Sequence, residues 1–252
     1  MLAKIKRLFF DLFRRVRFLQ LIKNKYLGTL VRVKTEKKIA AITFDDGPDP
    51  VWTPKILEVL DEYNAKATFF VIGRRMKNNP EIVKKAFEAG HAIANHTWDH
   101  PCLPILPRKK RMEQINNCKN IISEYDSLLF RPPFGCQTIL TKIDAYFSGY
   151  EVVAWDRHVA DWENRSADEM ARDLNSRIRP GTIILLHDAQ AGRSREEVIQ
   201  ALDSFLKSNF GYKFVTVPDL LNYGEAEKII WKKKPNANDL KSHGERFETI
   251  DL

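Results

Sequence analysis

The stretch IAAITFDDGPDP, residues 39–50, decides the fold. Its first half, residues 39–44, is a short apolar run of the kind that forms a buried strand. Two aspartates, a glycine and a proline follow at once, and Thr53-Pro54 then provides a typical helix start. The stretch therefore predicts a buried strand that ends in a polar loop and leads into a helix.

The same order of apolar run, polar loop and helix recurs along most of the chain. Strands are predicted at residues 39–44, 67–72, 92–95, 129–131, 152–154, 182–186 and 213–217. Helices are predicted at residues 55–63, 81–89, 167–178 and 196–210. Repeated strand–helix units build a parallel sheet with helices outside it, and about seven such units favour a single α/β barrel over two small domains.

The composition is that of a folded protein with unevenly distributed charge. Of 252 residues, 44% are hydrophobic and 29% are charged, which excludes a disordered chain, a collagen and a disulfide-rich miniprotein. The net charge of +8 is concentrated in residues 1–38, which hold 12 basic and two acidic residues. The rest of the chain has 29 basic and 31 acidic residues, so we expect no nucleic-acid partner.

Residues 1–38 are predicted to form a basic amphipathic leader. Apolar residues recur there at spacings of three and four: Leu2, Ile5, Phe9, Leu12, Phe13, Val16, Leu19 and Ile22. Such a helix can lie on an anionic membrane surface or pack against the barrel, and both interpretations stay open. Residues 39–222 are assigned to the barrel, and residues 223–252 to a polar C-terminal extension.

The leader does not resemble a secretory signal, because Asp11 and Arg14 interrupt its apolar run and no small-residue cleavage site follows. The three cysteines, at positions 102, 118 and 136, are odd in number and lack CxxC spacing, so we expect reduced thiols. These features together predict a cytoplasmic protein, which the leader could hold at the inner membrane face.

Side chains that can do chemistry follow the predicted strands. The residues concerned are Asp45, Asp46, His96, His100, Arg131, Asp161 and His187. Because the carboxyl ends of the strands meet at one face of an α/β barrel, we expect these side chains to lie close together.

His96 and His100 have the i, i+4 spacing that points two imidazoles the same way from a helical turn. With a carboxylate from a neighbouring strand end they would form the three-ligand face of a catalytic divalent metal. Histidines at this spacing are more often surface or capping residues. The pair Asp45 and Asp46 strengthens the metal hypothesis, because adjacent carboxylates at a buried strand end need a metal, an arginine or a shared proton.

Arg131 could hold one of these carboxylates as a base, and His187 could serve as an acid whose ring Asp161 orients. Each residue also fits a structural role, Arg131 in a loop salt bridge and His187 in a strand-end pair with Asp188. The two residues occurring together favour the catalytic interpretation.

Five segments in this order resemble the motifs of the polysaccharide deacetylase family, also called the NodB-homology group or carbohydrate esterase family 4. They are TFDDGP (43–48), HTWDH (96–100), RPPFG (131–135), DW (161–162) and LLHD (185–188). The resemblance covers about residues 39–221 and includes KATFFVIG (66–73) and FVTVPDLL (214–221). One departure is Phe134, where many members of the family have tyrosine.

This resemblance implies a distorted (β/α)7 TIM-like barrel that hydrolyses the N-acetyl group of an N-acetylglucosamine-type oligosaccharide, polysaccharide or lipid-linked glycan. It implies a divalent metal, usually Zn²⁺ with Co²⁺ or Mn²⁺ as alternatives. The metal ligands would be Asp46, His96 and His100. The catalytic residues would be Asp45 as base, Arg131 positioning it, and His187 as acid with Asp161 as its partner. The backbone N–H of Phe134 would stabilise the oxyanion, and Trp162 and Leu185 would hold the acetyl methyl group.

Two other functions stay open. A metal-dependent hydrolase of the same fold could act on a different non-peptide C–N bond. A non-catalytic scaffold at the membrane surface would use the basic leader, but such a scaffold has no use for the base Asp45 and the acid His187.

Overall fold

The computed structural model describes residues 27–209 and 211–230. Its strands are β1 (Thr29–Lys34), β2 (Ile39–Asp45), β3 (Ala67–Val71), β4 (Ala92–Asn95), β5 (Asp126–Phe130), β6 (Glu151–Val152), β7 (Arg157–His158), β8 (Ile183–His187), β9 (Lys213–Phe214) and β10 (Glu225–Ile229). Its α-helices with described bounds are α1 (Trp52–Glu62), α2 (Gly73–Asn78), α3 (Pro80–Glu88), α4 (Arg108–Ile122), α5 (Ile139–Phe147), α6 (Ala167–Arg177), α7 (Glu196–Ser208) and α8 (Val217–Leu220). Short 3₁₀ turns occur at Leu103–Ile105, Pro133–Gly135 and Leu221–Tyr223.

The sheet is parallel and curled, with the strand order β6-β5-β4-β3-β2-β8-β7, and β9 pairs with the start of β2. The strand β1 contacts this sheet at two places. Ala154, just after β6, donates its N–H to Leu30 at 2.8 Å, and Val33 donates to Gly181, just before β8, at 3.0 Å. The predicted α/β barrel in one domain is confirmed as a curled half-barrel of seven parallel strands.

Alternation along the strands divides the core into two layers. In β2, Ile39 and Ala41 belong to the cluster inside the barrel, whereas Ala40, Ile42 and Phe44 pack under the helices. Thr43 and Asp45 continue the inward-facing series because side chains alternate with a period of two. The same alternation turns the carboxylate of Asp45, at the end of β2, toward the barrel axis.

Helix starts follow the predicted capping residues. Ser166 accepts a hydrogen bond from the N–H of Glu169, whose side chain bonds back to Ser166, which is a capping box at the start of α6. Pro80 occupies the first turn of α3, where its missing N–H is not needed. The helices α1 and α7 begin at Trp52 and Glu196, close to the predicted starts.

Some predicted strand bounds were wrong. The fifth strand covers Asp126–Phe130 rather than 129–131, and β6 has two residues rather than the predicted 152–154. The strand β9 stops at Phe214 because Thr216 caps the short helix α8. The two-residue strand β7 was not predicted.

The strands β1 and β10 form an antiparallel pair that the sequence analysis missed. The strand β1 falls inside the predicted leader and β10 inside the predicted C-terminal extension, so residues on both sides of the assigned barrel are packed onto it. Arg32 and Glu227 are cross-strand partners and form an ion pair of 3.6 Å. The apolar residues predicted to form an amphipathic helix, between Leu2 and Ile22, lie outside the described residues. Among the described residues, no helix is long and apolar enough to cross a bilayer.

Candidate active site

Two adjacent aspartates at the end of β2 point their carboxylates in different directions. Asp45 is the last strand residue, and Asp46 has a φ of 77°, in the left-handed region that aspartate tolerates better than most residues. Asp45 binds Arg131, while Asp46 faces His96 and His100. The turn of the backbone therefore gives each carboxylate its own set of partners.

Arg131 lies directly after β5 and is fully buried. Its Nη1 donates to Asp45 Oδ1 at 2.6 Å and to Thr43 Oγ1 at 2.8 Å, and its Nη2 donates to the carbonyl of Ala154 at 2.8 Å. The guanidinium also lies 4.0 Å above the ring of Phe70. Burial lowers the pKa of Arg131 and the charge of Asp45 opposes that change. The predicted pairing of Arg131 with one carboxylate is present, inside the barrel.

Asp46, His96 and His100 form a group whose potential ligand atoms all lie within 4.8 Å of one another. Asp46 Oδ1 is 3.0 Å from His100 Nε2 and 3.5 Å from His96 Nε2. The loop that carries the histidines is not helical, contrary to the expectation from their spacing. Thr97 and His100 have positive φ values, and the N–H of His100 bonds to Thr97 Oγ1 at 3.0 Å. These backbone turns and this hydrogen bond bring both imidazole rings to Asp46.

The hydrogen bonds of His96 show that this group suits a cation. Its Nδ1 lies 2.6 Å from the carbonyl of Arg131, which can only accept, so Nδ1 carries a proton. In the neutral ring, Nε2 then turns a lone pair toward Asp46 Oδ1. That oxygen is buried and accepts no geometrically sound hydrogen bond from the described residues. Two electron-rich atoms facing each other in a buried place need a positive charge between them.

The charge state of Asp46 fits the same role. Burial alone would raise the pKa of Asp46, but the nearby His100, with a smaller effect of His187, holds it well below its usual value. The carboxylate is therefore ionised at neutral pH, which is the form that binds metals.

His187, at the end of β8, is held by Asp161. Its ring Nδ1 lies 3.0 Å from Asp161 Oδ1, and its backbone N–H donates to Asp161 Oδ2 at 2.8 Å. Burial alone would lower the pKa of His187, but Asp161, with smaller effects from Asp46 and Asp45, raises it to about 9. The second ring nitrogen, Nε2, therefore carries a proton at neutral pH.

The three residues predicted to surround the reacting group lie at different places on the rim of the site. The ring of Phe134 packs edge-on against His100 at 4.5 Å, and Trp162 packs edge-on against His187 at 5.6 Å. Leu185 is buried and is the cross-strand partner of Thr43. It shares the inward side of β8 with His187, two residues on.

Comparison with known proteins gives the same family as the motifs. The family model described as polysaccharide deacetylase matches residues 32–153. A peptidoglycan-N-acetylglucosamine deacetylase of Bacillus cereus is 39% identical over 197 residues, which is 76% of this chain and 92% of that protein. The chain belongs to the polysaccharide deacetylase family. It is thus a hydrolase that acts on carbon–nitrogen bonds.

One further relative and one solved structure also match most of this chain. A chitooligosaccharide deacetylase of Sinorhizobium fredii is 35% identical over 167 residues, 65% of this chain and 78% of that protein. A crystal structure of a peptidoglycan N-acetylglucosamine deacetylase, in complex with a naphthyl-substituted N-hydroxybenzamide, superposes with a TM-score of 0.73 and 32% identity. That match covers 81% of this chain and 96% of the other.

The sequence analysis of this deacetylase-family chain missed Arg195 and gave Asp188 only a structural pairing with His187, although both residues are buried beside the site. Arg195 is buried, and its Nη1 donates to the carbonyl of Asp161 at 3.1 Å and lies 3.8 Å from the carboxylate. Asp188 accepts a hydrogen bond of 2.6 Å from Thr53 and lies against Gly47, where an added Cβ would come within 2.0 Å of it. Arg195 has no signal in the sequence, whereas Asp188 stands in the LLHD motif.

Proposed function

We propose that this chain removes the N-acetyl group from N-acetylglucosamine-type units of an oligosaccharide, a polysaccharide or a lipid-linked glycan. The observation that carries the proposal is the arrangement of Asp45, clamped by buried Arg131, beside the Asp46, His96 and His100 group. The relatives support the choice of substrate, since those reported above carry names of peptidoglycan and chitooligosaccharide deacetylases.

A divalent metal would be held by Asp46 Oδ1, His96 Nε2 and His100 Nε2. Two imidazole nitrogens and one carboxylate oxygen suit Zn²⁺, which takes three protein ligands in catalytic sites, and Co²⁺ and Mn²⁺ are alternatives. When bound, the metal would polarise the acetyl carbonyl and make water more acidic. The N-hydroxybenzamide in the related crystal structure carries a hydroxamic acid, a group that chelates metals, which supports this assignment.

Asp45 would act as the general base that takes a proton from the attacking water. Arg131 holds Oδ1 of this carboxylate, and Thr43 shares the same guanidinium nitrogen. The other oxygen, Oδ2, lies 3.8 Å from His96 Nε2 and so faces the proposed metal group. The base is thereby fixed in one orientation, and the energy of reorienting it during the reaction is avoided.

His187 would act as the general acid that protonates the leaving amine. Asp161 binds Nδ1, so the proton available for transfer is on Nε2. Protonation of the amine is needed because an uncharged amine leaves far more readily than its anion. The raised pKa of His187, about 9, keeps this proton in place at neutral pH.

The rest of the pocket would bind the reacting acetyl group. The backbone N–H of Phe134 would donate to the oxyanion of the tetrahedral intermediate. Trp162 and Leu185 would form the apolar wall against the methyl group. Phe134 in place of tyrosine is compatible with this role, because the contact uses the backbone.

The test is release of acetate from soluble N-acetylated chitooligosaccharides and from peptidoglycan fragments, with Zn²⁺ supplied. We expect activity in the wild type, loss of activity in Asp46→Asn, and retention in Asp156→Asn, a carboxylate paired with Arg179 outside the site. Hydrolysis of some other amide without any acetate from a panel of N-acetyl sugars would contradict the proposal. It would instead favour the same-fold hydrolase of a different C–N bond.

A further inference from the structure

The helix α5 presents an apolar stripe to solvent. Ile139, Leu140, Tyr146 and Phe147 are 43%, 54%, 52% and 69% exposed, and Ile143 between them is partly exposed. These positions follow the spacing i, i+1, i+4, i+7 and i+8, so they lie on one side of the helix. We call these five residues the α5 stripe. A contiguous exposed apolar patch of this kind marks an interaction surface more often than a single exposed side chain does.

The α5 stripe has cations beside it. The helix α4 begins with four consecutive basic residues, 108–111, and this end is fastened to α5 because Asp144 binds both Arg108, at 3.0 Å, and Arg111, at 2.7 Å. Lys109 and Lys110 follow on the exposed surface of the same turn, where Lys110 pairs with Glu113 at 3.0 Å. Four basic residues against the two acidic residues Asp144 and Glu113 leave a net charge of +2. The surface therefore combines large apolar side chains with an excess of positive charge.

The chain enters the described structure next to this helix. Leu27 and Gly28 line a cavity of about 290 Å³ together with Lys142 and Tyr146 of α5. The described structure thus begins, at Leu27, on the same side of the barrel as α5. The sequence of residues 1–26 contains eight basic residues and one acidic residue, with apolar residues recurring at spacings of three and four.

We propose that the α5 stripe and its cationic neighbours on α4 are a docking surface for an anionic lipid bilayer. Together they have the composition of membrane-surface segments, with aromatic and aliphatic side chains for the acyl boundary and lysine and arginine for the headgroups. An alternative occupant of the stripe is residues 1–26 themselves. Their charge disfavours it, since a segment with eight cations would pack beside the four cations that begin α4.

The proposal links the membrane to the mouth of the site. Three residues separate the helix α5 from the Pro133–Gly135 turn, which carries Phe134 beside His100. Ile139 and Leu140, at the start of α5, are therefore the part of the stripe nearest to the site. A bilayer on this surface would lie beside the mouth of the site, which suits a glycan substrate attached to or close to a membrane.

The first experiment is flotation of the full chain with vesicles of phosphatidylcholine and phosphatidylglycerol, and with vesicles of phosphatidylcholine alone. We expect binding to the anionic vesicles only, decreasing as salt is added. The double variant Leu140→Glu with Phe147→Glu is expected to bind at least about tenfold more weakly. The matched control is Val51→Glu with Phe87→Glu, which makes the same charge change at residues 52% and 44% exposed elsewhere on the barrel. Equal binding by the two double variants would overturn the proposal.

A second experiment identifies what covers the stripe. Phe147→Cys in the full chain can be labelled selectively with an environment-sensitive dye, because Cys102, Cys118 and Cys136 are buried. We expect water-like emission in solution and a blue shift on adding anionic vesicles. A blue-shifted emission before any lipid is added would overturn the proposal in favour of residues 1–26 or a second copy of the chain, which light scattering would distinguish. Acetate release from soluble chitooligosaccharides by the stripe variant would show that a negative result concerns the docking surface and not the proposed activity.

Discussion

Asp45 and His187 are cross-strand partners at the carboxyl ends of β2 and β8. The parallel register sets the two residues side by side, and each has its own partner of opposite charge behind it. Arg131 binds Asp45 at 2.6 Å and Asp161 binds His187 at 3.0 Å. The proposed base and the proposed acid thus stand side by side, and each is held by its own partner of opposite charge.

The first prediction concerns Asp45 as the base. Asp45→Asn keeps the shape of the side chain and an oxygen for Arg131, but it cannot take a proton. We expect the rate of acetate release to fall by about 10²- to 10⁴-fold. Metal content, measured by mass spectrometry, is expected to stay the same as in the wild type. Near-normal activity of this variant would show that another group is the base.

The second prediction concerns the pH profile. The pKa of His187 is raised to about 9 by Asp161 against the effect of burial, so the acid loses its proton only when the pH rises through that value. Asp161→Asn removes the negative charge that raises the pKa of His187. The alkaline limb of the kcat/KM profile is therefore expected to move to lower pH. Asp156→Asn is the control and should leave the limb in place. An unchanged alkaline limb in Asp161→Asn would mean that His187 is not the group that titrates.

The same pairing affects stability. Because the folded pKa of His187 lies above the unfolded value, its contribution is fully present below the unfolded pKa and is lost as the pH rises toward about 9. The free energy of unfolding in urea is expected to show this loss in the wild type and a smaller one in Asp161→Asn.

The third prediction separates metal binding from backbone strain at Asp46. Both Asp46→Asn and Asp46→Ala remove the carboxylate, so both are expected to weaken Zn²⁺ binding at least about tenfold in a competition titration. Asparagine tolerates the φ of 77°, whereas alanine does not, so only the alanine variant should lose a further ~1 kcal/mol in metal-free unfolding. Wild-type Zn²⁺ affinity in either variant would contradict the ligand assignment.

The fourth prediction concerns the buried ion pair. Arg131→Met leaves the carboxylate of Asp45 buried without its cation, and we expect a loss of about 3–5 kcal/mol in the free energy of unfolding. Arg179→Met is the matched control. Arg179 pairs with Asp156 at 2.9 Å but is 46% exposed in its side chain, so that loss should stay below about 1 kcal/mol. Equal losses in the two variants would show that burial of the Arg131 ion pair does not increase the cost of removing its cation.

The sequence was sufficient to predict the barrel and to predict which side chains gather at its candidate site. Each β unit carries its own local signal, an apolar run followed by a polar loop, and the parallel arrangement then brings Asp45, His96, Arg131 and His187 to one face. The family and the class of reaction follow from the same five segments.

The missed features depend on contacts between distant residues. Residues 29–34 read TLVRVK and are rich in β-branched residues, but they were assigned to the basic leader. Their pairing partner lies at the other end of the described chain, where Glu227 meets Arg32, and no local pattern indicates that partner. Arg195 is a single basic residue just before α7, and only the fold brings it to Asp161. The convergence of His96 and His100 was predicted, but on a helical turn, because positive φ values at Thr97 and His100 leave no sequence signal of their own.

The pairing of β1 with β10 also determines how the molecule would respond to force. Thr29 faces Ile229 at the open end of this two-stranded ribbon, so residues 1–26 and 231–252 continue from neighbouring points. Tension applied between these flanking segments would break the hydrogen bonds between β1 and β10 one after another, starting from that end. The hydrogen bonds that join β1 to the sheet, between Leu30 and Ala154 and between Val33 and Gly181, would pass part of this load to the barrel as the ribbon opens.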